Sequence, residues 1–234
     1  MVNGHASAAL HVTDLGGGIS SGVRSPIPGI ATARRRGYRR RMPEPAPTAP
    51  GLPARCSVDE FFALVDRGLL HPDDRVELLE GVVVAMASEN PWHASGVRLV
   101  ARALAPAVGD RAFVDQQHCV VLGDSSVPYP DVQVLPGRLS DYFTRHPSTA
   151  LLVVEVADGT LVQDRLTKAG IYAAAGIPEY WIVSRRDDLV IVSTQPNPAE
   201  RRYGVARLFP RGESITLAAL PDVSVAVDDL LPPA

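Results

Sequence analysis

The fold is decided by three consecutive stretches: the apolar run Leu151-Leu-Val-Val-Glu-Val156, the segment of residues 161–175, and Glu179-Tyr-Trp-Ile-Val183. Short apolar runs rich in β-branched residues predict buried strands, so the first and third stretches are expected to be strands. Residues 161–175 are expected to form a helix, which Gly176 and Pro178 end in the order usual beyond a helix C-terminus. A strand, a helix and a strand in succession predict an α/β (α+β) protein.

Upstream of this stretch, the sequence predicts a short helix and then a hairpin. Ser57-Val-Asp-Glu60 is a capping box, in which the serine and the glutamate satisfy free amide donors at a helix start, and Gly68 is a natural stop. The β-branched residues of segment 75–86 surround a turn at Glu80-Gly81, which indicates a hairpin.

A second helix and further strands account for the rest of the ordered chain. Pro91 begins this helix, which Pro106 and Gly109 are expected to close. One face carries residues spaced by four, three and four positions, namely His93, Val97, Val100 and Leu104. The period then changes to two residues, which predicts strands at residues 112–122 and 130–135. The C-terminal third predicts strands that extend the sheet or cover one end, at residues 189–193, 205–209 and 223–227.

The composition is that of one globular domain. The chain has 234 residues, of which 46% are hydrophobic and 21% are charged, enough to bury one substantial core. Cys56 and Cys119 lie far apart without a CxxC pair, which argues against a disulfide framework or a cysteine-rich zinc site. No stretch reaches the roughly 20 apolar residues that span a bilayer. We therefore expect a cytoplasmic protein without a membrane partner.

The first 54 residues are expected to be a disordered Arg/Pro/Gly-rich tail, and residues 55–234 the folded domain, because the tail lacks both helical and strand periodicity. The block Arg34-Arg-Arg-Gly-Tyr-Arg-Arg-Arg41 has two interpretations, a basic arm for nucleic acid and a tail without function. Met42 offers a second translation start, which would leave residues 1–41 dispensable. No apolar segment follows the arginines, which argues against an export signal.

The net charge of −3 hides an asymmetry between this tail and the folded domain. Residues 1–41 carry seven arginines and one acid, a charge of +6, so the remainder of the chain carries −9. An acidic domain lacks the phosphate neutralisation that supplies most non-specific affinity for DNA. Any contact of this domain with DNA must therefore be local, bridged by a metal, or weak.

Two acidic residues stand out among the predicted strands. Asp131 sits at the start of one strand, where a turn residue after proline is the simplest structural interpretation. Glu155 interrupts an otherwise apolar strand, and a buried carboxylate is costly unless a cation pairs with it.

The helix that follows supplies the candidate cation. Asp164, Lys168 and Tyr172 are spaced by four and share one helix face, so they can be turned back toward the preceding strand. A solvent-facing ion pair between Asp164 and Lys168 is the structural alternative. Two carboxylates with nearby water suit Mg²⁺ or Mn²⁺, and such a centre can hydrolyse phosphodiesters.

The chain resembles the Uma-two family of restriction endonucleases, a bacterial branch of the PD-(D/E)XK nuclease superfamily, from about residue 57 to residue 230. The matching motifs are Arg75-Val-Glu-Leu-Leu-Glu-Gly81, His93, Pro130-Asp131, Val153-Val-Glu-Val-Ala-Asp158, Asp164-Arg-Leu-Thr-Lys168 and Tyr172-Ala-Ala-Ala-Gly-Ile-Pro-Glu-Tyr-Trp-Ile-Val183. The resemblance implies a restriction-endonuclease-like αβββαβ core, here with an extra N-terminal helix and hairpin and a C-terminal β extension.

The same resemblance implies roles for individual residues. Asp131 and Glu155 would hold the metal, helped by a backbone carbonyl near Val156. Ala157 stands where the superfamily usually has its lysine, and Lys168 on the helix would replace it. The remaining implied residues are Glu77 as an additional acid and metal ligand, Asp164 and Tyr172 as orienting groups, and His93 and Gln117 near the rim.

These observations lead to three functional hypotheses. The first is a Mg²⁺-dependent endonuclease acting on DNA, which would favour a homodimer because cutting both strands usually takes two active sites. The second is a nuclease fold used as a binding or regulatory module with weak or no turnover, which the acidic domain suggests. The third is a nuclease for RNA or a modified nucleic acid.

Overall fold

The computed structural model describes residues 9–11, 54–71, 74–86, 90–157 and 162–233, with the backbone alone for residues 9–11 and 162–166. Within these ranges the chain forms a mixed sheet with helices on both faces, which confirms the predicted α/β (α+β) class. No helix in the described ranges is long and apolar enough to cross a membrane.

The N-terminal helix and hairpin form as the sequence predicts. Helix α1 (Val58–Asp66) begins with the capping box, in which the Ser57 amide donates to Glu60 Oε2 over 2.8 Å and the Glu60 amide donates back to Ser57 Oγ over 3.3 Å. Strands β2 (Val76–Leu79) and β3 (Val82–Ala85) pair antiparallel in a separate two-stranded sheet. Both residues of the turn between them have positive φ, as a tight hairpin requires.

Helix α2 (Pro91–Val108) begins at Asn90, whose side chain accepts a hydrogen bond from the His93 amide over 2.9 Å. The prediction that Pro106 helps to close this helix is only partly right. Pro106 lies inside the last turn, and the helix ends at Gly109, whose φ of 55° breaks the helical path. The predicted apolar face is confirmed, since Val97, Val100 and Leu104 are buried.

Seven strands form the central sheet in the order β1-β9-β8-β7-β6-β5-β4. Their bounds are β1 (Ala9–His11), β4 (Ala112–Gln116), β5 (Val132–Pro136), β6 (Leu152–Ala157), β7 (Glu179–Ser184), β8 (Leu189–Asn197) and β9 (Arg202–Pro210). Helix α3 (Val162–Ala174) connects β6 to β7, which run parallel, and all other neighbours pair antiparallel. The succession α2-β4-β5-β6-α3-β7 is the expected αβββαβ core.

Two details depart from the sequence prediction. The single strand expected at residues 112–122 is wrong, because β4 ends at Gln116 and Gln117 adopts a φ of 55° that turns the chain out of the sheet. Strand β1 lies within the tail that was predicted to be disordered, and its three residues pair with β9. Residues 1–8 and 12–53 of that tail lie outside the described residues, so their disorder stays a prediction.

The central strands of the sheet are packed on both faces. One face packs against α2 and against a hairpin of β10 (Ser214–Leu217) and β11 (Leu220–Ala226), which the sequence had suggested as a cover for one end. The other face packs against α3 and the hairpin β2–β3. Helix α2 approaches β6 so closely that a Cβ at Gly96 would lie 2.7 Å from Val156 Cγ1. Both faces are thus covered around β5 and β6.

Candidate active site

The candidate site lies at the carboxyl end of β6. Asp131, just before β5, accepts a hydrogen bond from the Val156 amide at Oδ2 over 2.7 Å, which holds the start of β5 against the end of β6. Val132 pairs with Val154, so the next position along each strand brings Asp131 beside Glu155. Side chains that face each other across antiparallel strands have Cβ atoms about 5 Å apart. The two predicted metal ligands are therefore neighbours.

Lys168 of α3 reaches this pair from above the sheet. Its Nζ lies 3.0 Å from Glu77 Oε2 and 3.3 Å from Glu155 Oε1. The Tyr172 hydroxyl, one helical turn further on, donates to the same Glu155 oxygen over 2.9 Å. The surface alternative for Lys168 is thereby excluded, since only 8% of the residue is exposed.

Glu77 arrives from the hairpin β2–β3 and is 3% exposed. Its Oε2 accepts from the Tyr129 amide over 3.2 Å as well as contacting Lys168. Four elements distant in the chain thus bring Glu77, Asp131, Glu155 and Lys168 together, which is the convergence that the sequence predicts.

The electrostatics of this cluster are unusual for buried acids. Burial raises the pKa of Glu155 to about 8, and the neighbouring charges of Asp131 and Glu77 act in the same direction, against the lowering influence of Lys168 and Tyr172. Burial disfavours the Lys168 ammonium, but Glu155 and Glu77 outweigh this and raise its pKa above the ordinary value. Lys168 therefore stays cationic. It is the one positive charge among three neighbouring acids, Glu77, Asp131 and Glu155.

The donor set fits a hard divalent cation that keeps most of its own water. Among the described residues, each of the three carboxylates uses one oxygen in hydrogen bonds or ion pairs, and the second oxygen has no such partner. Mg²⁺ and Mn²⁺ bind through one or two carboxylates plus water and substrate phosphate. No group of three or more His, Cys, Asp or Glu side chains arranged to hold a metal is found in the described ranges. Asp131 and Glu155 alone therefore fit a Mg²⁺-type ion, and the set does not fit a closed zinc-type site.

A family model described as "Uma2: Putative restriction endonuclease" matches residues 58–228. The chain belongs to the Uma2 family. A solved structure similar to this chain is described as a putative nuclease belonging to DUF820 from Anabaena variabilis, with a TM-score of 0.58 and 15% sequence identity over 74% of this chain and 96% of that one. At this identity the similarity shows the fold alone. A comparison with curated proteins gives no match.

Membership of Uma2 identifies the chain as a nuclease, with nucleic acid as its substrate. In this Uma2 chain Ala157 is buried in β6, two residues beyond Glu155, at the position where the resemblance noted above places the superfamily's usual lysine. Lys168 on α3 brings its ammonium to the same carboxylate from the neighbouring helix.

The supporting residues predicted for the site are distributed around it. His93, at the start of α2, has Nε2 at 3.0 Å from Asp131 Oδ2. Gln117 is close through its backbone, because its amide donates to the Asp131 carbonyl over 3.2 Å, while its side chain is exposed. The side chain of Asp164 lies outside the described part of the chain, so its orienting role stays a prediction.

Sequence reasoning missed two features of this Uma2 site. Gln133 is fully buried on the sheet face of Asp131, where Nε2 donates to the His118 carbonyl over 3.2 Å and Oε1 has no hydrogen-bond partner among the described residues. The two-residue period was the available signal, because it places Gln133 on the same side as Asp131. The second feature is compositional: Lys168 is the only lysine in the chain, against 22 arginines.

Proposed function

We propose that this Uma2 chain is a divalent-metal-dependent endonuclease that hydrolyses phosphodiester bonds in DNA. The observation that carries the proposal is the position of the only lysine, buried between Glu77 and Glu155 beside Asp131. A chain that uses arginine at every other basic position retains a lysine here, and the two are not interchangeable: lysine offers a compact ammonium, arginine a planar fork.

The metal is assigned to Asp131 and Glu155, with Glu77 as an additional acid, and Mg²⁺ or Mn²⁺ suits these oxygen ligands. When bound, such an ion lowers the pKa of water and offsets the negative charge of the transition state. His93 and the Val156 amide both hold Asp131 Oδ2, which fixes the orientation of the carboxylate and directs Oδ1 elsewhere.

The positive charge of Lys168 stabilises the negative charge that develops on the reacting phosphate. A buried ammonium aimed at the place where negative charge develops stabilises the transition state strongly, because few water molecules screen it. Glu77 and Glu155 position the ammonium, and the Tyr172 hydroxyl holds Glu155 Oε1. Burial and the neighbouring acids raise the pKa of Tyr172 well above its ordinary value, so it donates this hydrogen bond at neutral pH.

We place this nuclease in the cytoplasm, acting as a homodimer when both DNA strands are cut. The acidic charge of the domain calls for local contacts with the substrate instead of a broad basic surface.

The test is a nicking assay on supercoiled plasmid with Mg²⁺ or Mn²⁺, with EDTA as the metal-free control. We expect nicking by the wild-type protein, none in EDTA, and a loss of about 100- to 1000-fold in Lys168→Ala, which removes a preorganised charge. Lys168→Arg keeps the charge but not the compact ammonium and should also lose most activity. Unchanged nicking in Lys168→Ala or Asp131→Asn would overturn the proposal.

A second candidate, a nuclease-fold binding or regulatory module, is favoured by two observations. Lys168 is already neutralised by two acids, and the described residues offer no three-ligand metal group. Calorimetry with Mg²⁺, Mn²⁺ and oligonucleotides separates the two, because a module takes up its ligand without turnover. Single-stranded DNA and RNA belong in the same assay, since cleavage of RNA alone would favour the third hypothesis.

A further inference from the structure

One buried amide beside the candidate site has an oxygen without a hydrogen-bond partner. Gln133 lies in β5, two residues beyond Asp131, and is 0% exposed. Its Nε2 donates to the His118 carbonyl over 3.2 Å and lies 3.5 Å from Asp115 Oδ2. Among the described residues, no donor lies within hydrogen-bond distance of its Oε1. A buried acceptor in this state costs about 1–3 kcal/mol, which indicates that a ligand from outside the chain supplies the donor.

The two polar atoms of the Gln133 amide are distinguished by their neighbours. The His118 carbonyl and the carboxylate oxygen of Asp115 are both acceptors, so the amide atom that faces them is the donor Nε2. A flipped amide would bring Oε1 against these two acceptors and leave Nε2 without one. Oε1 is therefore the atom that requires a donor.

The side chain of Gln133 leans toward the end of the sheet at which Asp131 lies. By the two-residue period, both side chains point to the same face. His118, the acceptor of the Gln133 amide, lies two residues beyond the end of β4. The preceding residue, Gln117, donates its own amide to the Asp131 carbonyl over 3.2 Å. The segment that holds Nε2 is thus bonded to Asp131, which places the carboxamide of Gln133 next to a proposed metal ligand.

The separation between Gln133 and Asp131 suits a contact through one water molecule. Neighbours on the same face of a strand are about 6.7 Å apart, and a water with two hydrogen bonds of about 2.8 Å spans a gap of that order. Mg²⁺ and Mn²⁺ keep several of their own waters when carboxylates bind them, so an ion at Asp131 and Glu155 brings such donors with it. A neutral carboxamide accepts from them without adding a further negative charge to the three acids.

We propose that Gln133 Oε1 accepts a hydrogen bond from a water of the divalent ion, on the side of the ion that faces the sheet. This inference rests on the proposed metal-dependent function and adds a positioning residue to it. Gln133 touches neither the ion nor the nucleic acid, and it acts through the water that it orients. Partners of this outer kind fix the ligands of an ion, and their loss typically lowers metal affinity by about 10- to 100-fold.

The experiment measures metal binding directly. The full chain is freed of metal with EDTA, dialysed and titrated with Mn²⁺, and the free ion is followed by its electron paramagnetic resonance signal. The wild type is compared with Gln133→Met, whose side chain has a similar length and lacks the amide oxygen. We expect the Mn²⁺ dissociation constant to rise by about 10- to 100-fold in this variant.

The matched control is the same substitution at Gln116. Gln116 is exposed in β4 and lies opposite Val132, so its side chain is on the other face of the sheet from Asp131. Gln116→Met should bind Mn²⁺ as the wild type does. Gln133→Asn keeps a carboxamide but shortens the side chain by one methylene, and its Mn²⁺ affinity should lie between those of the wild type and Gln133→Met. It replaces Gln133→Met if that variant does not fold.

Two further measurements separate a positioning role from a purely structural one. Urea unfolding in EDTA shows whether Gln133→Met is folded. Added Mn²⁺ should then stabilise this variant less than it stabilises the wild type, because stabilisation by a ligand follows its dissociation constant. Nicking by Gln133→Met should fall at low Mn²⁺ and recover most of the wild-type rate at saturating Mn²⁺, because the substitution weakens binding of the ion and leaves the other groups of the site in place.

Unchanged Mn²⁺ affinity in Gln133→Met would overturn the inference alone, as would an equal loss of affinity in Gln116→Met. A loss of stability in EDTA with unchanged Mn²⁺ affinity would also overturn it and would make Gln133 a structural residue. If the wild type binds no Mn²⁺, the inference and the metal-dependent function both fail. The expected pattern of Mn²⁺ binding without any nicking rejects the proposed endonuclease and leaves the role of Gln133 standing.

Discussion

Glu155 and Glu179 are buried acids on neighbouring parallel strands, and burial raises the pKa of both. Their partners differ. Glu179 begins β7 and satisfies both oxygens with neutral donors, the Trp181 indole at 2.9 Å and the Ala218 amide at 2.7 Å. Glu155 lies near the end of β6 and satisfies one oxygen, with Lys168 and Tyr172, while two further acids lie close by.

The different partners mark Glu179 as a structural acid and Glu155 as a candidate functional one. Glu179 connects the central sheet to the hairpin β10–β11, and each of its carboxylate oxygens already accepts a hydrogen bond from a neutral donor. Glu155 belongs to a group of three acids that shares one lysine, and such a group gains stability when another cation arrives. A cluster in which several acids share one cation, and not burial alone, therefore marks the site.

The largest expected effect is on activity, in Glu155→Gln compared with Glu179→Gln. The first should lower the nicking rate by about 100- to 1000-fold, because it removes an ionisable oxygen ligand from the proposed centre. Its stability should stay within about 1 kcal/mol of the wild type, because glutamine still accepts from Tyr172 and relieves repulsion among the acids. Plasmid nicking and urea unfolding measure the two quantities. Glu179→Gln should nick normally, and an equal loss of activity in both variants would remove the distinction.

The next effect is on stability, in Glu179→Ala. Truncation leaves the Trp181 indole and the Ala218 amide without their acceptor, and an unsatisfied buried donor costs about 1–3 kcal/mol. We expect a loss of about 2–4 kcal/mol in the free energy of unfolding, measured with urea. Glu200→Ala is the control, because Glu200 is an exposed partner of Arg202 on the surface and should change stability by less than about 1 kcal/mol. A loss in Glu179→Ala no greater than that of the control would contradict the structural role.

The smallest effect is a pH dependence of stability. Burial raises the pKa of Glu179 although the Ala218 and Trp181 hydrogen bonds oppose this. The folded protein then holds this proton more tightly than the unfolded chain, so the contribution is fully present below the unfolded-state pKa of about 4.3 and is lost as pH rises through the folded pKa. Glu179→Gln cannot ionise, so the wild type should lose stability relative to this variant as pH rises from 4 toward neutrality. Urea midpoints that stay parallel for the two proteins would contradict it.

Much of the fold could be predicted because its signals are local. The capping box at Ser57, the turn at Glu80-Gly81 and the change of period after Gly109 each depend on a few adjacent residues. The end of β4 could not be predicted, because Val120 and Leu122 continue the apolar pattern past Gln117 and are buried there by contacts from other elements. Apolar periodicity reports burial and does not distinguish a paired strand from a buried loop.

For the site, the sequence determined the candidate residues: an acid inside an apolar strand, an acid after proline, and the only lysine, on the helix that follows. The tertiary structure decided how they are combined. It brought Glu77 of a separate hairpin against Lys168, turned Asp131 toward the Val156 amide, and placed Arg185 over the Trp92 ring. The reason is physical, because charge compensation acts through distances of about 3–5 Å, and residues far apart in the chain acquire such distances only when the sheet and its helices have packed.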